Sequence, residues 1–92
     1  MEPSHLTLDL RSYSCETHAH QHDYHQLVLP AEGRLSMSIA GQEGEVSSRQ
    51  VAVIRAGQSH DFAASGQNSF IVADVPAALA PALEQLPAFI SL

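Results

Sequence analysis

The chain has 92 residues, enough for one domain at most, since independent domains run about 50–200 residues. With 45 % hydrophobic and 15 % charged residues it is not a disordered chain, which needs low hydrophobicity and high charge. Four arginines and no lysine against ten acidic residues give a formal net charge of −6. Arg11, Arg34, Arg49 and Arg55 are scattered, so this chain by itself offers no surface for nucleic acid.

No apolar run reaches the roughly 18 residues of a membrane span, and no basic stretch leads into an apolar one as in a signal peptide. The single Cys15 cannot form an internal disulfide and reads as a small buried residue rather than a nucleophile. The expected location is the cytoplasm. A chain this short buries only about 60–65 % of its unfolded surface, so a homodimer is expected to support it.

Taken in chain order, Leu6, Leu8 and Leu10 alternate in a short first strand, with Thr7 and Asp9 expected to face outward. Residues 24–29 form a strand expected to end at Pro30, before a turn at Glu32-Gly33. Residues 34–40 alternate strictly, Leu35, Met37 and Ile39 against Ser36 and Ser38. A second turn at 41–44 leads to a short polar strand at 45–48 and a buried one at 50–54. Gly57 turns the chain into 59–64, and 69–75 is the last clear strand.

Short strands with turn signals at close intervals predict an all-β antiparallel sandwich or barrel. Residues 76–86 are rich in Ala and Leu, with Pro76 and Pro81 placed for first helical turns, so a short C-terminal helical segment is expected. Leu79, Leu83 and Leu86 lie at helical spacing there. Residues 88–92 end the chain apolar, as in one that continues or packs on a partner. The organisation expected is a single domain: a strand region at 1–16, a barrel at 17–75 and a tail at 76–92.

Four histidines, His18, His20, His22 and His25, fall within eight positions. On one extended strand His18, His20, His22, Tyr24 and Gln26 share a face, and Asp23 and His25 the other. Imidazole is the commonest protein metal ligand, and His60 is the only histidine in the second half of the chain. A solvated polar strand without a metal is the competing reading of the same run.

Residues 20–33 read H-Q-H-D-Y-H-Q-L-V-L-P-A-E-G and resemble the first cupin motif, HxH(x)3–4E(x)6G. Residues 55–60, R-A-G-Q-S-H, resemble the second, P-x-G-x-x-H. The stretch from about 18 to 76 is similar to the cupin sensor domain of AraC-type transcription regulators. The departures are Gln26 for the motif-one carboxylate, and Ser14 and Arg49 for glycines. Arg55 also replaces the motif-two proline, and Ala64 the asparagine.

The resemblance implies a small jelly-roll-like cupin barrel with a metal set of His20, His22, Gln26 and His60. A neutral amide at position 26 predicts weaker holding of zinc, nickel, iron or manganese than a carboxylate would give. His18, Tyr24, Met37 and Phe62 are the residues expected to touch a small-molecule effector. The implied function is an effector-sensing and dimerisation domain, with the DNA-binding helix-turn-helix outside this chain and no catalytic residues. Two other readings remain: a stand-alone metal-dependent cupin enzyme of the dioxygenase or isomerase type, and a metal-free structural cupin.

Overall fold

The computed structural model describes residues 5–13, 18–64 and 66–92, and of residues 18–20 the backbone only. Nine strands are described: β1 Thr7–Arg11, β2 His18–Gln21, β3 His25–Glu32, β4 Arg34–Ile39, β5 Gln42–Ser47, β6 Gln50–Ile54, β7 Ser59–Ala64, β8 Ser69–Val75 and β9 Phe89–Ser91. They form a five-stranded sheet, β1-β8-β3-β6-β9, and a four-stranded sheet, β2-β7-β4-β5, with every pairing antiparallel. The only helical pieces among the described residues are 3₁₀ turns at Ala77–Leu79 and Pro81–Gln85. The all-β expectation therefore holds.

The core lies between the sheets. Leu35, Met37 and Ile39 of β4 face Val28, Ala52, Ile54 and Phe70 of the larger sheet. The alternation in 34–39 works as read, because Ser36 and Ser38 take the opposite face of the pleat. β6 is buried on both faces, which a two-layer sandwich does not explain by itself. The tail returns beside it: Val53 N–H extends the ladder with β9 to Ala88 O at 2.7 Å, and the outward Arg55 guanidinium donates to Glu84 O of the tail at 2.7 Å.

Four expectations change. Thr7 and Asp9 of β1 stand in register with the inward rows of β8, whereas Leu8 and Leu10 face solvent, 68 % and 67 % exposed. The run from His18 to Gln26 is not one strand. It breaks after Gln21, so β2 and β3 join different sheets and the single histidine face does not form. β3 also continues through Pro30. β6 pairs with β3 only as far as Val28, and the register shifts between Pro30 and Glu32, so the missing N–H costs no regular ladder bond. The apolar end of the chain is an edge strand, β9, paired with β6. Cys15 and Ser14 lie outside the described residues.

β9 depends on a glycine. A Cβ at Gly44 would lie 2.6 Å from the Phe89 ring, so only glycine lets that ring close over β5. Gly44→Val is therefore expected to destabilise the fold by roughly 1–3 kcal/mol, as overpacked cores do. Denaturant unfolding should show this with the m-value unchanged. An unaltered midpoint would contradict the packing of β9.

Candidate functional site

At one end of the sandwich a small cavity of about 100 Å³ is walled by Arg11, Tyr13, His22, Gln26, His60 and Phe62. Both sheets contribute: Arg11 and Gln26 come from the five-stranded sheet, His60 and Phe62 from β7 of the other. At about 30 Å³ per water, the volume suits about three waters or a small polar guest.

Gln26 is almost fully buried on the inward side of β3, in register with Asp74 and Ile54. Its Nε2 donates to Asp74 Oδ1 at 2.8 Å. Asp74 Oδ2 lies 3.7 Å from Arg11 Nη2, and Arg11 Nε donates to Asp9 Oδ2 at 3.0 Å. One carboxylate thus joins β8, β3 and β1 beside the cavity. Partial burial works against the Arg11 charge. The Asp9 hydrogen bond and the fields of Tyr13, Asp74 and Asp9 outweigh it and raise Arg11 above its usual range.

Tyr13 closes one wall, its ring meeting Phe62 edge-on at 4.5 Å between centroids and Phe70 at 5.7 Å. Burial raises the Tyr13 phenol above the usual tyrosine value, with the nearby Arg11 charge opposing. Burial also raises Tyr24. Tyr13 is held in place by Asn68, whose Oδ1 accepts from Tyr13 N–H at 2.7 Å while its Nδ2 donates to Tyr13 O at 2.8 Å.

His22 follows β2 and is half-buried; its ring stacks on Tyr24 at 4.7 Å and lies 5.2 Å from the His60 ring. The turn after β6 fixes its backbone, since Gly57 N–H donates to His22 O at 2.7 Å. Gly57 sits at φ +86°, in the left-handed region where a side chain is strained, so the glycine of the second motif is a conformational requirement. His20 stands opposite His60 in the β2–β7 register, and His18 opposite Phe62. The side chains of His18 and His20 lie outside the described residues.

Of the residues singled out from the sequence, the cavity gathers His22, Gln26, His60 and Phe62. Tyr24 backs His22 without lining the cavity, and Met37 is buried in the core. A larger groove of about 330 Å³, lined by Ser36, Ser38, Glu43, Asp61 and the neighbouring backbone, lies on the outward side of the smaller sheet. It shares only Phe62 with the cavity. His25 acts structurally. It is fully buried, and its Nδ1 accepts from Ala56 N–H at 2.9 Å and ties β3 to the same turn.

Arg11, Tyr13 and Asp74 belong to neither motif. The one trace of them in the sequence is the Asp74-Val75-Pro76 strand end. Two imidazoles 5.2 Å apart match the spacing of about 5 Å expected when both bind one ion at about 2.1 Å. With Gln26 Nε2 engaged by Asp74, its carbonyl oxygen is the donor that side chain has left to offer. The described donors are thus two imidazoles and one neutral amide oxygen, with Arg11 in the same wall repelling a cation. Among the described residues no group of three or more His, Cys, Asp or Glu converges on one point.

Residues 4–86 match the AraC-like ligand binding domain family. The chain is 30 % identical over 71 residues to an uncharacterized HTH-type transcriptional regulator, YobQ, of Bacillus subtilis (strain 168). That match takes in 77 % of this chain but only 30 % of the regulator's length. Among solved structures, a cupin-2 domain containing protein of Shewanella frigidimarina aligns with a TM-score of 0.70 at 20 % identity, covering 82 % of this chain and 74 % of its own. The EutQ protein of Clostridium difficile aligns with a TM-score of 0.68 at 22 % identity, covering 78 % and 57 %. These likenesses establish the cupin fold.

The raised Tyr13 phenol has a signed consequence. A group whose folded pKa exceeds its unfolded one contributes stability below the unfolded value, about 10, that is lost as pH rises through the folded value. Unfolding free energy is expected to fall above about pH 10, and less steeply in Tyr13→Phe. Equal slopes in the two proteins would contradict the buried phenol.

Proposed function

The chain belongs to the AraC-like ligand binding domain family, and on that premise we propose that it is the effector-sensing and dimerisation domain of an AraC-type transcription regulator. The observation that carries this reading is the cavity walled by Arg11, Tyr13, His22, Gln26, His60 and Phe62. It combines aromatic walls, a cation and amide and imidazole groups, the mixture that recognises a small polar molecule. A guest there touches both sheets and the end of β1 at once. Binding shifts a regulator only if two states differ in affinity for the effector, and a cavity built from both layers supplies that difference when the layers move.

In this reading DNA recognition falls to a helix-turn-helix part outside these residues, as the description of the Bacillus subtilis relative as HTH-type suggests. No helix among the described residues is long and apolar enough to cross a membrane. A second reading is favoured by the His22–His60 spacing of 5.2 Å: a divalent transition ion held by His20, His22, Gln26 and His60. Bound there, the ion would supply a Lewis-acid contact to the effector's oxygen. The protein's residues would orient the guest, Phe62 and Tyr13 excluding water and Arg11 pairing with a negative group.

The test is thermal melting of the chain, purified without a histidine tag, against monosaccharides, short-chain carboxylates and amino acids, with and without zinc. A saturable rise in Tm with one class, lost in Gln26→Leu, is expected. No shift with any class at millimolar concentration would contradict the sensing role. Elemental analysis of the same protein decides the ion: about one equivalent, lost in His60→Ala, supports it, and a folded metal-free protein removes it.

A further inference from the structure

The outward face of the five-stranded sheet is apolar where a solvated sheet would be polar. Leu8, Ala73, Leu27 and Val53 are successive register partners and form one row across four strands. Leu10, Ile71 and Leu29 form the next. No charged residue stands in either row, although the chain carries 4 basic and 10 acidic side chains. On one half of this face the tail returns past Val53. The other half is open: Leu6 is 53 % exposed, Leu8 68 %, Leu10 67 % and Ile71 40 %.

β1 carries its leucines on the outer face of the sheet, with Thr7 and Asp9, also exposed, on the side in register with the inward residues of β8. A slip of one residue would turn the leucines inward. The register forbids that slip at two points. Asn68 clamps both backbone groups of Tyr13, and Asp74 lies against Arg11. The fold therefore holds three leucines on the outer face in solvent, a contiguous apolar patch that calls for a cover.

We infer that the outer face of β1, β8 and β3 is the surface on which a second copy of this chain docks. The inference deepens the dimerisation half of the proposed function and rests on it. Charge decides among occupants. The face offers no carboxylate to a basic partner and no cation to an acidic one. Elsewhere two chains of net charge −6 repel each other, but across this face a copy meets the same uncharged rows. A two-fold contact, in which each patch mates with itself, buries no like charges there. The arrangement also links site and interface: Leu10 of the face and Arg11 of the cavity wall are adjacent on β1, pointing to opposite sides.

Sedimentation equilibrium of the whole chain at micromolar concentration tests this against Leu8→Glu/Leu10→Glu. The expected result is a dimer for the wild type that persists at high salt, and for the variant a monomer with unchanged circular dichroism and a Tm lowered by the loss of the partner. If the glutamate variant fails to fold, Leu8→Thr/Leu10→Thr keeps strand-forming side chains and should weaken dimerisation at least about tenfold. A variant that remains dimeric overturns this face and leaves dimerisation standing elsewhere. A monomeric wild type overturns both, and assigns the face to a different partner or to another part of a longer chain.

Discussion

A single carboxylate, Asp74, is the contact on which the open end of the sandwich depends. It accepts from Gln26 Nε2 on one side at 2.8 Å and lies 3.7 Å from Arg11 Nη2 on the other. β8 is thereby joined to β3 and β1 through side chains as well as through the ladder. Gln26 is buried, so removing its acceptor would leave an amide donor unsatisfied, at a cost of about 1–3 kcal/mol. The same contact aims the Gln26 carbonyl away from Asp74 and keeps the cavity lined with a neutral oxygen. A glutamate at position 26 would set two carboxylates side by side, so Asp74 and the amide at position 26 suit each other.

The cavity is a joint product of both layers. His22 is positioned by the Gly57 turn and by stacking on Tyr24, His60 by β7, Phe62 by its ring contact with Tyr13, and Tyr13 by Asn68. These supports are linked, since Phe62 leans on Tyr13 and shares β7 with His60, so a guest that moves one wall loads its neighbours. β1 connects the cavity with the outside of the molecule. Its Arg11 lines the interior while Leu8 and Leu10 present an apolar surface to solvent. Under the proposed function, a change in the cavity that shifts Arg11 would shift the strand carrying those leucines and so link the cavity to the outer face.

Much of this was legible in the residues. Strict alternation in 34–39, and turn signals spaced along the chain, carry the β architecture because side-chain period and burial agree there. Gln26, His22 and His60 were found through motif spacing, and the spacing works because Gly57 needs a positive φ to reach His22. What failed depends on long-range partners. Alternation in 6–10 gives two faces but not which one is inward; Asn68 and Asp74, more than fifty residues away, decide that. The break at 22–24 was hidden because a strand-like histidine run continues across it. The last strand was hidden because three residues become a strand only against β6. Tyr13 left no local signal, since its role arises from aromatic contacts across the fold.

The most direct measurement is the position of the Gln26 side-chain amide and the His22 and His60 ring signals in heteronuclear NMR, followed as a Tm-raising small molecule is titrated. The account predicts that these signals move together and saturate at one equivalent, ahead of residues in the outer groove such as Ser38 and Asp61. Movement confined to that groove, or a stabilising compound that leaves Gln26 and both rings unchanged, would contradict the cavity as the effector site.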